Sequence, residues 1–506
     1  MKNCWIVLAA VLLLTPCFPE MKGAVKTENG LVSGAAGERD ANITAFKGIP
    51  YAEPPVGNLR WTPPRPARNW KGVRKAENFG DSCAQSFPKA VPASEDCLYL
   101  NIWTPAKSAG DRLPVMFWIH GGGFFVGSPR EDLYDGEEIS KKGVVVVTVN
   151  YRLGVFGFLA HPDLTKESSH HSSGNYGLLD QLAALQWVHR NIASFGGDPN
   201  KVTIFGESAG ALSVNALLAS PLSKGLFRAV ISESGGVGAG FGRTALPSLH
   251  ESESAGVKFA ESMGAHSLAE LRALPTEKLL QTRNFPQVTV DGWYLPESLA
   301  MLIQEGKQNK VPLILGSNSD EGQHFIRSVL SGNDYAAKAR KDFGSDADEF
   351  LRLYPADSDE SAKVSQQHEF SDRTASATQN LAADIGRGGA KVFLYYFAYQ
   401  DGGAYDTETP TLGVRLGADH GGELWYVFGV LNRRKPPAPE EDKKMQDIVM
   451  SYWTNFAKTL DPNGSGLPNW KSVSPSEQEL MVLDRSTGMQ RHPRADQVSF
   501  LGAHRH

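Results

Sequence analysis

The sequence predicts an α/β protein organised around a mostly parallel sheet, and three observations lead to that prediction. Short, continuously apolar runs rich in Val and Ile recur through the middle of the chain, as in strands covered on both faces. Segments of helical spacing separate these runs, an alternation typical of parallel sheets. A strand, a tight turn and a helix also follow one another at residues 201–218. The predicted strands are residues 113–119, 144–149, 202–205, 228–232, 311–315 and 391–397.

Helices are predicted between and after these strands. Residues 178–192 place Leu178, Leu182 and Leu185 on one apolar stripe, and residues 445–458 form a second amphipathic pattern. Residues 241–309 and 331–384 lack long β-branched runs and are rich in Ala, Leu, Glu and Lys, which predicts helical insertions. Such insertions lie above strand ends, where they either shape a pocket or only decorate the fold.

The region before the first strand predicts two simpler features. Residues 25–34 alternate around Asn29-Gly30, which indicates a small hairpin. Residues 46–66 contain so many prolines that regular structure is not expected, and a loop that wraps the surface is predicted instead.

Composition and charge exclude some classes of function. The chain of 506 residues is 41% hydrophobic and 21% charged, as in an ordinary globular protein. Its formal charge of −5 is small, and no long block of like charge occurs, so the basic surface that nucleic acids need is missing. A small uncharged or anionic partner remains possible.

The N-terminus resembles a secretory signal peptide. Lys2 precedes a short apolar run over residues 4–14, which is too short to span a membrane. We therefore expect residues 1–24 to be a leader, residues 25–506 to form a single large domain, and the protein to be secreted or periplasmic. The alternative is that the apolar run is a buried N-terminal strand or helix.

The most informative motif surrounds Ser208. Residues 206–210 match G-x-S-x-G between a buried strand and a helical segment. A serine at such a turn sits in a strained backbone conformation with its hydroxyl standing clear, and small neighbours at Gly206 and Gly210 let strand and helix approach. Ser208 is the candidate nucleophile, and a glycine-rich connection without chemistry is the alternative.

A serine nucleophile needs a histidine to take its proton and a carboxylate to orient that histidine. On this kind of turn the expected chain order is serine, acid, histidine. Asp320 and Glu321 both follow the strand that ends near Gly316, and the residues alone leave the choice between them open. His420, flanked by glycines, is the candidate histidine.

A glycine run at Gly121, Gly122 and Gly123 follows another predicted strand. Adjacent backbone N–H groups without side chains can point at one oxygen and form an oxyanion hole. A tight turn or a phosphate cradle is the alternative, although the cradle lacks its usual Gly-Lys-Ser/Thr continuation. The remaining paired histidines, His170-His171 and those of the C-terminal tail, are expected to be solvated, and no metal site is predicted.

The chain contains several long motifs, at residues 46–57, 94–101, 120–124, 150–159, 174–181 and 206–210. They resemble those of the type-B carboxylesterases, the cholinesterase-like branch of the α/β-hydrolase fold. The motifs occur in the family's order, and the similarity extends from about residue 25 to about residue 471.

This resemblance implies specific roles. Ser208 matches the family's nucleophile and His420 its general base, while Glu321, rather than Asp320, matches its acid. Glu207 and Ser234 fall where the family has supporting groups around these residues. The backbone donors of the implied oxyanion hole are Gly122, Gly123 and Ala209.

The two cysteines outside the leader, Cys83 and Cys97, match the family's first disulfide. In an oxidising compartment a bridge of this spacing stabilises the fold by about 3 kcal/mol, and two unpaired thiols are the alternative. In cholinesterases the corresponding loop is longer and supplies an aromatic wall for a quaternary ammonium. Here residues 84–96 contain Phe87 as their sole aromatic, so specificity for choline esters is not expected. The family's additional animal disulfides are absent, which suggests a bacterial exported enzyme.

The expected function is therefore that of a serine esterase that hydrolyses a small-molecule carboxylic ester through an acyl-enzyme, without a metal or cofactor. Two alternatives are a non-catalytic binding protein on the same fold and a hydrolase of amides, lactones or bulky aromatic esters. Five aromatic residues could line the substrate pocket or could equally be buried in a core: Phe241, Phe285, Trp293, Phe325 and Trp425.

Overall fold

The computed structural model describes residues 23–86, 93–236, 246–282, 287–323, 325–326, 328–400, 415–433, 437–474 and 479–504. The predicted signal peptide lies outside these residues except for its last two positions. Phe87, Phe241 and Phe285 also lie outside them.

Most strands in the described part of the chain belong to one large mixed sheet. The strands are β1 (Val25–Thr27), β2 (Gly30–Ser33), β3 (Ala35–Ala36), β4 (Thr44–Pro50), β5 (Val73–Lys75), β6 (Ser82–Cys83), β7 (Ala93–Ser94), β8 (Tyr99–Thr104), β9 (Leu113–Ile119), β10 (Val145–Val149), β11 (Gly197–Glu207), β12 (Ala229–Glu233), β13 (Leu313–Asn318), β14 (Val392–Phe397), β15 (Glu479–Leu483) and β16 (Gly488–Arg491).

The large sheet has the order β16-β15-β14-β13-β12-β11-β9-β10-β8-β4-β3. Its centre, from β10 to β15, is parallel throughout. Antiparallel pairs occur at both edges, where β8 joins β10 and β16 joins β15. The predicted mostly parallel sheet is confirmed.

Helices connect the strands and cover the sheet. They are α1 (Glu137–Ser140), α2 (Gly154–Phe158), α3 (Pro162–Glu167), α4 (Tyr176–Asn191), α5 (Ala209–Ala219), α6 (Leu249–Ser262), α7 (Leu268–Ala273), α8 (Thr276–Leu279), α9 (Leu299–Gln304), α10 (Gly332–Phe343), α11 (Ala347–Leu353), α12 (Asp359–Arg387), α13 (Leu424–Val427), α14 (Glu440–Thr459) and α15 (Ala495–Ala503).

The sheet separates two apolar cores. Along β9, Val115 and Phe117 pack into one core with α4 and α5, while Met116 and Trp118 pack into the other with α14. Both faces are therefore buried, which is why the central strands are continuously apolar in the sequence. The helical insertions predicted at 241–309 and 331–384 are present as α6 to α9 and α10 to α12.

The proline-rich region departs from its prediction. Residues 44–50 form β4, which pairs antiparallel with β8, so the prediction of a loop from residue 46 onward is wrong for this part. Pro50 is the last residue of the strand, where a missing N–H disturbs the ladder least. Gly48, with φ of 71°, lies within the irregular register between Phe46 and Ile49.

The predicted hairpin is confirmed as β1 and β2, with its turn one residue earlier than expected. Thr27 pairs with Gly30, so the two turn residues are Glu28 and Asn29. Trp70 packs against Gly30, where a Cβ atom would lie only 2.5 Å from the indole Nε1.

Cys83 and Cys97 form a disulfide bond, as predicted. Both residues are buried in the core that also contains Val115 and Phe117 of β9. None of the helices in the described part of the chain combines the length and apolar character that crossing a bilayer requires.

Candidate active site

Ser208 occupies a strained turn between β11 and α5. Its φ and ψ of 56° and −121° lie in a region that non-glycine residues rarely adopt. The backbone N–H of Ser208 donates to the carbonyl of Glu233 at 2.9 Å and holds the turn against the end of β12. The side chain is mostly buried, and 7% of the residue remains accessible.

Two glycines make this turn possible, as the sequence predicted. A Cβ atom on Gly206 would lie 2.5 Å from the carbonyl oxygen of Gly210. A Cβ atom on Gly210 would lie 2.0 Å from the carbonyl oxygen of Ile119 at the end of β9. Any larger residue would push α5 away from the sheet.

The glycine run after β9 lies directly beside Ser208. A Cβ atom on Gly121 would be 3.2 Å from the Cβ of Ser208. Gly122 and Gly123 have φ of 94° and 63°, so the chain turns sharply here. No described residue accepts a hydrogen bond from the backbone N–H of Gly122, Gly123 or Ala209.

Glu321 and His420 form a close pair across two loops. Nδ1 of His420 lies 2.5 Å from Oε2 of Glu321. The other carboxylate oxygen of Glu321 accepts hydrogen bonds from Oγ of Ser234 and the backbone N–H of Asn318, each at 2.7 Å. Glu321 is 1% exposed, so these three contacts define its orientation.

Asp320 points elsewhere. Its Oδ1 accepts a hydrogen bond from Nε2 of Gln367 on α12 at 2.6 Å, and its Oδ2 accepts one from the backbone N–H of Leu416 at 2.8 Å. The two adjacent carboxyl groups, which the sequence pattern could not tell apart, therefore face different partners. Of these two carboxyl groups, Glu321 is the one that contacts His420.

A second carboxyl group lies on the other side of the His420 ring. Nε2 of His420 is 2.9 Å from Oε1 of Glu207, the residue before Ser208. Burial favours the neutral imidazole, but the charges of Glu207 and Glu321 outweigh it and raise the pKa of His420 well above its ordinary value. Among the described residues Oγ of Ser208 forms no hydrogen bond, and catalytic contacts of this kind often tighten only when substrate binds.

Ser208 and His420 line the same cavity. The polar residues that line it are Ser234, Glu321 and Thr374 in addition to Ser208 and His420. The remaining lining residues are apolar or without side chains: Leu212, Gly235, Gly236, Phe325 and Phe370. Phe325 also makes an edge contact with the His420 ring, with centroids 4.8 Å apart.

Of the aromatic residues proposed as pocket walls, three lie among the described residues, and one of these three lines the cavity. Phe325 lines the cavity. Trp293 instead stacks on His170, with ring centroids 3.7 Å apart, and Trp425 packs against the core on the α14 side of the sheet.

Sequence reasoning missed several residues around the site. Phe370 and Thr374 on α12 line the cavity, and the sequence left open whether this insertion would reach it. Glu233 and Glu423 are fully buried, and both interact with the charge of Glu207. Burial, followed by the charge of Glu207, raises the pKa of Glu423. Glu423 follows His420 by three positions, and this short spacing was the one feature of the sequence that could have pointed to Glu423 as part of the site.

No three His, Cys, Asp or Glu side chains within the described ranges come together in a way that could hold a metal ion. The site is instead a serine, a histidine with a carboxylate partner, and a glycine turn at the carboxyl edge of a parallel sheet. This combination defines the serine hydrolases of the α/β-hydrolase fold.

Comparison with known proteins narrows the class. The sequence profile of the carboxylesterase family matches residues 22–501, and the chain belongs to this family. It is 38% identical to a fumonisin B1 esterase from Sphingopyxis macrogoltabida, over 91% of this chain and 86% of that protein. It is 35% identical to a para-nitrobenzyl esterase from Bacillus subtilis, over 93% of this chain and 97% of that protein.

A solved structure agrees with these sequence relatives. The carboxylesterase of Geobacillus stearothermophilus superposes with a TM-score of 0.81 at 33% identity, covering 94% of this chain and 99% of that one. The chain is thus a carboxylic ester hydrolase of the type-B family on the α/β-hydrolase fold, as the sequence predicted. The alternative of a non-catalytic binding protein is not retained.

Proposed function

We propose that Ser208, His420 and Glu321 form the triad with which this enzyme hydrolyses esters. The observation that carries the proposal is the contact between Nδ1 of His420 and Glu321 in a cavity that Ser208 also lines. A carboxylate on Nδ1 keeps that nitrogen protonated and leaves Nε2 to accept a proton.

In the acylation half of the reaction, Oγ of Ser208 attacks the ester carbonyl carbon while Nε2 of His420 takes the hydroxyl proton. The carbonyl oxygen becomes an oxyanion, which the backbone N–H groups of Gly122, Gly123 and Ala209 bind. His420 then donates its proton to the leaving alkoxide, and the alcohol departs from an acyl-Ser208 ester.

Deacylation repeats these steps with water. His420 removes a proton from water, the resulting hydroxide attacks the acyl carbon, and the same N–H groups bind the second oxyanion. Collapse returns the proton to Ser208 and releases the carboxylic acid. The net change is one ester and one water to one acid and one alcohol, with no metal or cofactor taking part.

The apolar residues that line the cavity favour a substrate whose group next to them is uncharged. Leu212, Phe325 and Phe370 offer no partner for a charge, and burial of an unpaired charge against them would be costly. The relatives named for fumonisin B1 and para-nitrobenzyl esters act on dissimilar compounds, so a panel that varies acyl and alcohol groups separately is the way to define this enzyme's substrate.

We also propose that the protein is exported. The leader-like pattern of residues 1–24 and the disulfide between Cys83 and Cys97 support a secreted or periplasmic location, because such bonds form in oxidising compartments.

The triad is tested by substitution. Ser208→Ala should abolish turnover of a chromogenic ester while leaving the melting temperature close to that of the wild type. Glu321→Gln should lower kcat by about 10³-fold or more, because the imidazole loses its orienting charge, whereas Asp320→Asn should lower it far less. Appreciable activity in Ser208→Ala, or the reverse ranking of the two acids, would contradict the proposal.

A further inference from the structure

Asn318, the last residue of β13, contacts both loops that carry the proposed triad. Its backbone N–H donates to Oε1 of Glu321 at 2.7 Å. Its side-chain Nδ2 donates to the carbonyl oxygen of Asp419, the residue before His420, at 2.7 Å, and also to Oε2 of Glu423. One residue thus holds the acid through its main chain and the histidine loop through its side chain.

The orientation of the Asn318 amide follows from its partners. The carbonyl oxygen of Asp419 can only accept a hydrogen bond, so the side-chain atom that faces it must be the nitrogen. Asn318 is fully buried, and water therefore cannot replace these contacts from the bulk.

Oε2 of Glu423 accepts a hydrogen bond from the same Nδ2 atom of Asn318. Glu423 is fully buried, and burial together with the nearby charge of Glu207 favours its protonated form.

The two loops also have connections that do not involve Asn318. The backbone N–H of Asp320 donates to the carbonyl of Ala418, and the backbone N–H of Ala418 donates to Oγ of Ser319, each at 2.8 Å. These bonds hold the loops together in general. The Asn318 amide acts one residue further along, at the carbonyl that immediately precedes His420.

We infer that Asn318, supported by Glu423, is a positioning residue that sets the distance and angle of the His420 ring relative to Glu321. The inference rests on the proposed triad and extends it, because Asn318 touches neither the cavity nor, on this view, the substrate. It acts entirely through the two residues that it joins.

The principal variant is Asn318→Ala. Because the Asp320–Ala418 bonds remain, we expect a folded protein in which kcat falls by about 10- to 100-fold, as for other displaced catalytic groups, while KM changes by less than about threefold. A weaker Glu321 contact lowers the pKa of His420, so the acid limb of the pH profile of kcat/KM should move to lower pH.

A matched control is Asn175→Ala. Asn175 is likewise buried, and its amide joins two distant segments by pairing with the backbone N–H and carbonyl of Thr289, away from the cavity. This variant should lose melting temperature and keep the kcat and acid limb of the wild type. If Asn318→Ala also kept kcat, or lost it without any movement of the acid limb, Asn318 would be a structural residue only.

A second pair of variants keeps the test decisive if Asn318→Ala does not fold. Glu423→Gln retains an oxygen that accepts from Asn318, whereas Glu423→Ala removes it, so the glutamine variant should keep the higher kcat. Equal losses in both would overturn the inference. Ser208→Ala distinguishes failure of the proposed triad from failure of the positioning role. Activity in Ser208→Ala would refute the triad itself. An inactive Ser208→Ala together with a fully active Asn318→Ala would refute only the positioning role.

Discussion

His420 has a carboxyl group against each of its ring nitrogens, and these neighbours govern the pH range in which the ring can accept a proton. Glu321 lies at Nδ1 and Glu207 at Nε2. Burial alone would lower the pKa of the imidazole, but the two charges raise it well above its ordinary value. A protonated ring cannot serve as a base, so activity should fall on the acid side as His420 takes up a proton.

Removing the charge of Glu207 should therefore extend activity to lower pH. In Glu207→Gln the protonated ring loses one of its two stabilising charges, the pKa of His420 falls, and the ring stays neutral at lower pH. The acid limb of the pH profile of kcat/KM, which reports this pKa in the free enzyme, should move downward.

Glu137→Gln is the matched control for this shift. Glu137 is also buried, but it binds the backbone N–H groups of residues 38–40 rather than any group of the cavity. Its acid limb should coincide with that of the wild type. An acid limb that stayed in place or rose in Glu207→Gln would show that Glu207 does not control the His420 pKa.

At the scale of elements, the strand β11 and the helix α5 meet at a distance that only glycine permits. The close approaches at Gly206 and Gly210 leave no room for a side chain, and they place Ser208 in its strained conformation. The long helix α12 meets the same region from the other side, where Gln367 binds Asp320 and Phe370 lines the cavity. The insertion predicted from composition thus shapes the pocket.

The contact between α5 and the sheet predicts a contrast between two Gly→Ala variants. Gly210→Ala should lower the free energy of unfolding by about 1–3 kcal/mol or more, because its Cβ would overlap the carbonyl of Ile119. Gly386→Ala, near the end of α12, meets no neighbouring atom and should raise stability by up to about 1 kcal/mol. Urea unfolding measures both, and a neutral Gly210→Ala would contradict the packing argument.

At the scale of the whole molecule, the parallel sheet gathers the site from distant parts of the chain. The glycine turn follows β9, Ser208 follows β11, Ser234 follows β12 and Glu321 lies just past the end of β13. Parallel strands end at one edge of a sheet, so these residues meet there although they are far apart in sequence. His420 reaches the same edge through the loop that contacts Asn318.

Export and the disulfide together make a prediction about the whole chain. The exported protein should lack the leader on mass spectrometry and should contain no free thiol at Cys83 or Cys97. The double variant Cys83→Ala/Cys97→Ala should lose about 3 kcal/mol of unfolding free energy, because the unfolded chain is no longer constrained. The reduced wild type serves as the comparison, and equal stability of bonded and double-variant proteins would contradict this account.

Much of the fold could be predicted because its signals are local. The strands were recognisable from apolar runs that reflect burial on both faces, and the turn at Ser208 from glycines that a close approach requires. The prediction failed at β4, because proline density indicated a loop and the pairing of residues 44–50 with β8 depends on a distant partner. The shift of the hairpin turn to Glu28 and Asn29 likewise depends on register with β2.

The amino-acid sequence by itself predicted the α/β class, from strand and helix patterns that alternate along the chain. Contiguous motifs predicted the carboxylesterase family, and the resemblance to that family selected the candidates Ser208, Glu321 and His420. Tertiary structure alone decided which partners each side chain meets. It turned Asp320 toward Gln367 and Glu321 toward His420, set Glu207 against the second ring nitrogen, and brought Asn318 between the two loops. The reason is physical: hydrogen bonds and charge interactions depend on distance and angle in space, which separation along the chain does not specify.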